Sequence, residues 1–163
     1  MPDPVFTDLM PEGGLPEALL SLNNDFAAEL STLNAERAHH LVRHAFMARV
    51  IGHQALLLAF DQDAAYENPN FHWFKERYDR FIYIDRVVVA PARQGWGWAR
   101  ILYESLFERA HERGHANVTC EINVDPPNPR SEAFHTGLGF EAVGQAILPD
   151  ARKTVRYFCR QIG

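Results

Sequence analysis

Residues 81–90, FIYIDRVVVA, lead through a glycine-containing loop into an amphipathic segment. The first segment is rich in β-branched and aromatic side chains and stops at Pro91, so it predicts a central β-strand. Apolar residues then recur with helical spacing over residues 97–113, and Gly114 provides a C-terminal stop. A strand, a tight loop and a helix in this order point free backbone N–H groups and the positive end of the helix dipole outwards, and such a place binds anions.

The loop carries the residue types that a phosphate site needs. Gly95 and Gly97 have no Cβ to keep a phosphate away from the main chain, and Ala99 is small enough for close helix packing. A dinucleotide-binding fingerprint is excluded because Arg100 stands where its third glycine belongs, and no Gly-Lys-Ser/Thr follows to make a Walker loop. The alternative is that the two glycines only make a tight turn.

Two separate motifs resemble those of one family. Residues 87–99, VVVAPARQGWGWA, resemble the main motif of the GNAT superfamily, the acetyl-CoA-dependent N-acetyltransferases. Gln94, Gly97 and Ala99 fall on the three specified positions of its Q/R-x-x-G-x-G/A loop. A second family element is a strand ending in V-x-x-x-N, then a short helix and Gly-Phe, and residues 124–140 match it.

The resemblance implies that this loop wraps the pyrophosphate of acetyl-CoA, the acyl donor. It also implies that backbone N–H groups at a bulge in the central strand polarise the thioester carbonyl, here those of Val87, Val88 and Val89. The implied CoA contacts further include Arg93, Gln94, Gly95, Trp96, Gly97, Trp98, Ala99, Asn128, Ser131 and Phe134. Asn128 would bind the pantetheine or the substrate side of the thioester, with a helix N-cap as the alternative. Trp96 and Trp98 would pack over the adenine or the pantetheine arm, or form a dimer contact.

Acyl transfer to an amine requires one group that removes a proton from the ammonium form and one that protonates or stabilises the leaving thiolate. Asp85 is the first candidate for the base, because it is an acid inside an otherwise apolar strand. By simple alternation it shares a face with Tyr83, Val87 and Val89.

The alternative for Asp85 is an ion pair with a basic residue such as Arg86 or Arg80. Glu121, on the next strand, is the second candidate for the base. His135 occupies the position at which many family members have the tyrosine that acts as general acid, counting back from the Gly-Phe pair. Histidine can protonate a thiolate, and the alternative is that His135 is a polar residue on an exposed helix.

The whole pattern predicts an α/β (α+β) fold in a single domain over residues 1–163. The predicted sheet is mixed, mostly antiparallel and flanked by helices. By the family resemblance it is splayed near the central strand, so that CoA enters the gap. Predicted strands are residues 46–52 and 54–61 with a turn at Gly52–His53, 81–90, 118–124, and 140–148 and 154–162 with a turn at Pro149–Asp150. Predicted helices are 25–33, 34–45 with Asn34 as N-cap, 71–78, 97–113 and 131–136. Residues 15–22 are either a first strand or a helical turn. The long connection 62–80 contains Tyr66, Phe71, His72, Trp73 and Phe74, which form a substrate wall or an outer hydrophobic cluster.

Composition and charge limit the classes of molecule that the protein is expected to bind. The formal charge of -5 and the absence of a Lys/Arg run argue against nucleic acid and suit a cationic substrate. No stretch approaches the ~18 apolar residues of a membrane span, and the acidic N-terminus lacks the pattern of a signal peptide, so a cytoplasmic protein without membrane contact is expected. The two cysteines predict buried thiols rather than a disulfide, and the histidines show no metal-ligand spacing.

The sequence thus predicts an N-acetyltransferase that moves an acetyl or other short acyl group to a primary amine of a small molecule or peptide. The resemblance implies direct attack in a ternary complex, and family habit favours a homodimer. Two alternatives remain: an acyl-CoA-binding or sensing module without turnover, and a structural protein that uses the fold as an interaction surface.

Overall fold

A seven-stranded sheet forms the centre of the fold, in the order β1-β2-β3-β4-β5-β7-β6. The computed structural model describes residues 3–26, 32–149 and 152–163. The strands are β1 (Thr7–Asp8), β2 (Met47–Ile51), β3 (Ala55–Asp61), β4 (Ile82–Val89), β5 (Asn117–Asp125), β6 (Glu141–Leu148) and β7 (Lys153–Gln161). Neighbouring strands pair antiparallel except β4 and β5, which are parallel. The predicted mixed, mostly antiparallel sheet is therefore confirmed.

Five helices accompany the sheet within the described residues. They are α1 (Glu17–Asp25), α2 (Ala35–His44), α3 (Pro69–Lys75), α4 (Trp98–Glu112) and α5 (Pro129–Gly137). The side chain of Asn34 accepts a hydrogen bond from the Arg37 N–H at 2.7 Å, which confirms Asn34 as the N-cap of α2. Gly114, with φ 80°, follows the end of α4 in the left-handed conformation that glycine favours.

Both faces of the sheet are covered by apolar side chains, and consecutive residues of β3 alternate between them because a strand points its side chains to opposite faces. On one face, here called the α2–α3 face, the core includes Leu41, Val42, Leu56, Leu58, Phe60, Phe71, Phe74 and Tyr83. On the other, the α4 face, it includes Leu57, Ala59, Leu102, Tyr103, Leu106, Ile122 and Phe140.

A β-bulge at Asp85 changes which residues of β4 share a face. The residues on either side of Asp85 pair with consecutive residues of β3, so Asp85 itself is the extra residue. Tyr83 consequently packs on the α2–α3 face, whereas Val87 and Val89 pack on the α4 face. The prediction that these residues share one face is wrong, because simple alternation does not allow for an inserted residue.

The sheet opens between its two central strands. The strands β4 and β5 pair only at Ile82–Val118 and Tyr83–Thr119. Beyond these pairs β4 continues to Val89 along β3, and β5 continues along β7. The facing edges of β4 and β5 therefore separate, and a gap opens towards the loop that precedes α4, as predicted.

Three predicted elements differ from the structure. Residues 15–22 are not a strand, because Leu19 and Leu22 are buried at helical spacing within α1; the helical alternative is the correct one. Most of the predicted helix 25–33 lies outside the described residues. The helix predicted at 71–78 begins earlier, at Pro69, because the side chain of Asn68 accepts from two backbone N–H groups and caps it.

No helix in the described part of the chain has the length and apolar character needed to cross a membrane. Among the same residues, no three or more His, Cys, Asp or Glu side chains come together in a way that would hold a metal ion. Cys120 and Cys159 are free, buried thiols.

Candidate active site

The turn between β4 and α4 presents open backbone. Gly95 and Gly97 have φ angles of 84° and 82°, which side-chain-bearing residues rarely adopt. A Cβ built on either glycine meets no atom within 4 Å. Gly97 is the N-cap of α4 and no side chain caps the helix, so the first N–H groups of α4 have no intrahelical acceptor. The turn can therefore hold an anion against the main chain.

Two arginines border this turn. The guanidinium of Arg93 lies 4.3 Å from the ring centroid of Trp96 and 5.7 Å from that of Trp98. Arg130, at the start of α5, donates a hydrogen bond to Gln94 Oε1 at 3.4 Å. Trp96 is 41% exposed, while Trp98 packs against the core of the α4 face. The cations of Arg93 and Arg130 add positive charge to the anion site.

The open edge of β4 leads from this turn into the gap. Alternate N–H groups of a strand point away from its paired neighbour, so β4 between the bulge and Val89 presents unpaired N–H groups towards β5. Val87 and Val89 are half-buried here and Val88 is buried. Gln94 donates its side-chain amide to the Val89 carbonyl at 3.3 Å, which ties the turn to the end of β4.

Glu121 of β5 has a perturbed carboxyl group. Tyr83 Oη donates to Glu121 Oε2 at 2.7 Å. Burial raises the pKa of Glu121 to about 7, and the nearby Asp85 charge acts in the same direction, whereas hydrogen bonds from Tyr83 and Asn70 favour the charged form and limit the rise. A carboxyl group with this pKa exchanges protons near neutral pH, as a general base must.

Asp85 has a different environment on the bulge of β4. Arg86 Nε donates to Asp85 Oδ2 at 2.6 Å, and the side chains of Asp85 and Arg86 are only 3% and 4% exposed. The Tyr66 hydroxyl donates to Asp85 Oδ1. Arg86 in turn donates to Asn23 of α1 at 3.0 Å. Both carboxylate oxygens of Asp85 are engaged, which favours the ion-pair alternative over the role of base.

His135 lies buried in α5, 5% exposed, on the α4 face of the sheet. Its Nδ1 is 2.8 Å from the Ser131 carbonyl oxygen, which can only accept, so Nδ1 carries the proton. The hydroxyl of Tyr103 therefore donates to Nε2, at 2.7 Å. Burial lowers the pKa of His135 and keeps it neutral. These contacts satisfy both ring nitrogens, so its role as general acid stays a prediction.

The start of α5 holds the other predicted CoA contacts. The side chain of Asn128 accepts from the Ser131 N–H at 3.2 Å, so Asn128 is the N-cap of this helix. Ser131 is half-buried, and Phe134 packs edge-on against Tyr103 at 5.2 Å. The cap and the packing explain these residues within the fold, and their contacts with CoA remain predictions.

Comparison with known families gives this site its context. Residues 70–140 match the model of the acetyltransferase (GNAT) family. This part of the chain is therefore similar to a GNAT acetyltransferase domain. The match includes β4, the turn, α4, β5 and α5, and thus both motifs on which the resemblance depended. A search of curated proteins finds no significant match.

Solved structures extend the GNAT likeness to nearly the whole chain. The yncA protein from Salmonella typhimurium, solved with its cofactor acetyl-CoA, is similar at a TM-score of 0.69 and 15% identity, covering 99% of this chain and 95% of that one. The ribosomal-protein-S18-alanine N-acetyltransferase from Escherichia coli gives 0.61 and 15%, covering 98% and 95%. An N-acetyltransferase from Staphylococcus aureus Mu50 gives 0.68 and 13%, covering 99% and 100%. At these identities the likeness establishes a GNAT fold.

The fold brings the two carboxylates to one part of the sheet and leaves His135 on the other face. Three neighbours carry no sequence signal of their own: Tyr66 beside Asp85, Asn70 beside Glu121, and Tyr103 beside His135. Tyr66 and Asn70 belong to the connection 62–80, whose aromatic residues were predicted to form a substrate wall or an outer hydrophobic cluster. Phe71 and Phe74 of that connection are fully buried, so the cluster alternative describes them correctly.

Proposed function

We propose that the protein transfers an acetyl or another short acyl group from acyl-CoA to a primary amine of a small molecule or peptide. The proposal rests on one observation: a carboxyl group with a pKa of about 7, that of Glu121, is carried by β5 where it separates from β4 in a GNAT domain. An amine must lose its ammonium proton before it attacks a thioester, and Glu121 is suited to accept that proton.

The donor site in this proposal is the turn before α4. Gly95 and Gly97 leave room for a diphosphate beside the first N–H groups of α4, with Arg93, Gln94 and Arg130 around it. Trp96, Trp98 and Ala99 complete the loop, and the family resemblance adds Asn128, Ser131 and Phe134 of the α5 region as contacts of acyl-CoA. Acyl-CoA supplies the activated thioester, and the structural relative solved with acetyl-CoA supports this donor.

Within the gap, the chain's own groups perform the remaining tasks. Glu121 accepts the proton from the substrate ammonium, after which the amine nitrogen bonds to the acyl carbon and the carbon–sulfur bond breaks. The backbone N–H groups of Val87 and Val89 stabilise the oxyanion that develops, whereas that of Val88 points towards β3, as that of Ala90 does. The sulfur leaving group takes a proton, for which His135 with its hydrogen-bonded Tyr103 is the predicted source.

Glu121 lies on the α2–α3 face of the sheet, where the Tyr83 hydroxyl donates to it. The formal charge of -5 favours cationic acceptors. Residues 1–163 act as one domain in this proposal, and cytoplasmic location and a homodimer remain predictions.

One observation favours a second function. His135 stands in place of the family's tyrosine, and both its ring nitrogens are engaged by Tyr103 and the Ser131 carbonyl, so neither is free to donate a proton to the leaving group. An acyl-CoA-binding module without turnover needs no such donor.

The two functions separate in an assay of free-thiol release from acetyl-CoA against a panel of amines, combined with melting curves. We expect turnover with at least one cationic amine, and a loss of roughly 10²–10⁴-fold in kcat for Glu121→Gln. Glu141→Gln, an exposed glutamate on β6, is the control and should keep full activity. A melting temperature raised by acetyl-CoA without turnover of any amine would establish the binding module, and no effect of acetyl-CoA on stability would contradict both.

A further inference from the structure

The ring of Trp73 is held in one place by contacts on both of its faces. Trp73 stacks on Tyr157 of β7, with ring centroids 4.1 Å apart and an angle of 18° between the planes. The guanidinium of Arg77 lies 4.0 Å from the Trp73 ring centroid, and Arg77 also donates to the Trp73 carbonyl at 2.9 Å. Cation and aromatic ring thus enclose the indole.

Gly144 of β6 provides the space that the Trp73 ring occupies. A Cβ built on Gly144 would lie 2.3 Å and 2.6 Å from two carbons of that ring. The φ angle of Gly144 is outside the left-handed region, so the backbone there suits any residue and only the ring requires glycine. Gly144 pairs directly with Tyr157 across the strands. The space left by its missing side chain, here called the Gly144 notch, therefore lies beside the stacked rings of Trp73 and Tyr157.

Tyr157 connects this arrangement to the candidate base. Its hydroxyl donates to Asn70 Oδ1 at 2.8 Å, and burial raises the pKa of Tyr157 to about 12, so it remains a donor at neutral pH. A carboxamide has an acceptor end and a donor end. Glu121 pairs directly with Tyr157 across β5 and β7, so the two side chains share a face and Asn70 lies beside both. With its oxygen engaged by Tyr157, Asn70 has its NH₂ end left for the Glu121 carboxylate.

We propose that Asn70 is a positioning residue for the Glu121 carboxylate, oriented by Tyr157, and that Trp73 in the Gly144 notch holds Tyr157 in place. The inference rests on the proposed role of Glu121 as proton acceptor. It gives α3 and the β6–β7 hairpin a part in the reaction, although neither carries a family motif. It also explains why a strand with ordinary φ angles has a glycine at residue 144.

Other ionisable groups near Glu121 act alongside this pair. They are Tyr83 and Asp85 from β4, Tyr66 from the connection before α3, Tyr103 from α4, Cys120 from β5 and Tyr157 from β7. Tyr157 is the group to change, because its hydroxyl bonds to Asn70. Tyr157→Phe removes that hydroxyl and keeps the ring that stacks on Trp73.

The test is the pH dependence of kcat/KM for Tyr157→Phe, measured by thiol release. Without the hydroxyl the Asn70 amide is free to turn, so Glu121 loses support for its charged form. The acidic limb of the profile should move to higher pH by roughly half a unit to one unit, the size expected for one hydrogen bond. An unchanged profile in a folded Tyr157→Phe protein would overturn the proposal.

The matched pair Gly144→Ala and Gly137→Ala tests the part of Trp73. Gly137 has nothing within 4 Å of a built Cβ, so its alanine variant should keep the parental melting temperature and profile. Gly144→Ala should expel the Trp73 ring and shift the acidic limb in the same direction as Tyr157→Phe. A lowered melting temperature with an unmoved profile would show that Trp73 only supports the fold.

Glu121→Gln separates a failure of the base role of Glu121 from a failure of the positioning role of Asn70. If Glu121→Gln keeps its activity, the proposed function of Glu121 fails. If Glu121→Gln is inactive and Tyr157→Phe has the parental profile, the role of Glu121 stands and the positioning role of Asn70 fails.

Discussion

Asp85 and Glu121 are carboxylates on neighbouring strands, and their nearest partners give them different chemistry. Asp85 faces the cation of Arg86 and the hydroxyl of Tyr66, so its negative charge is compensated within the fold. Glu121 has a neutral hydrogen-bond donor, Tyr83, and burial acts against its charge. A base needs a proton affinity near the working pH, and this contrast favours Glu121.

Asp85→Asn should therefore reduce stability. It leaves the buried Arg86 cation without its counter-charge, which costs about 3–5 kcal/mol in comparable cases. The measurement is the free energy of unfolding in urea. Asp8→Asn is the control, because Asp8 pairs with Arg49 and its side chain is 43% exposed, so its loss should cost less. Loss of kcat in Asp85→Asn at unchanged stability would instead identify Asp85 as the base.

Glu121 should make stability fall as pH rises. Its pKa is about 7 in the fold and near the ordinary 4.5 in the unfolded chain, so the folded state binds the extra proton between these values. The stability it contributes is complete below pH 4.5 and is lost as pH rises through 7. Glu121→Gln should unfold with a free energy higher than the parent by about 3 kcal/mol at pH 8, with no difference at pH 4. Parallel pH curves for the two proteins would refute the shifted pKa.

At the scale of elements, the start of α4 is the feature on which the proposed donor binding depends. Gly97 combines a left-handed φ with open space and an uncapped helix. These properties leave both room and unpaired N–H donors for a phosphate. The same element also supplies Leu102 and Leu106 to the core, so its position relative to β4 is fixed by packing.

Gly97→Glu should abolish acetyl-CoA binding, because it puts a carboxylate where a phosphate is expected. The readout is the rise in melting temperature on adding acetyl-CoA. Gly52→Glu is the matched control: Gly52 also has a positive φ, 53°, and open space, but lies in the β2–β3 turn. Both substitutions put a side chain on a residue with positive φ, so the backbone strain should destabilise the two variants to a similar extent. Only Gly97→Glu should lose the rise in melting temperature with acetyl-CoA. An equal response in both would place the phosphate elsewhere.

At the scale of the whole molecule, the sheet consists of two halves joined at β4 and β5 by the pairs Ile82–Val118 and Tyr83–Thr119. One half contains β1 to β4 and the other contains β5, β7 and β6. Packing of α4 adds to this joint, since α4 contributes to the same core as β5. A ligand in the gap would contact both halves.

Acetyl-CoA should therefore slow amide hydrogen exchange on the facing edges of β4 and β5, at residues 84–89 and 120–125. Their N–H groups on these edges have no strand partner and should exchange quickly without ligand. At 100 times its Kd the ligand stabilises the folded state by about 2.7 kcal/mol, and a mass-spectrometric exchange experiment would locate the effect. Protection confined to α1 and α2 would contradict binding in the gap.

Much of the architecture follows from short stretches of sequence. The strand at 81–90, the glycine turn and α4 are encoded within about thirty consecutive residues, and the caps Asn34 and Asn128 bond to N–H groups three residues away. Such local interactions need no knowledge of the rest of the chain. The sequence by itself therefore determined the sheet type, the open glycine turn before α4 and the two carboxylate candidates.

Tertiary structure decided what those candidates do. The bulge at Asp85 depends on pairing with β3, and the partners of Glu121 and His135 come from residues 38 and 32 positions away. Burial and hydrogen bonding between distant residues set proton affinity, and neither can be read from a local pattern. The same reason applies to Gly144, whose need for glycine appears only when Trp73 of α3 lies against it.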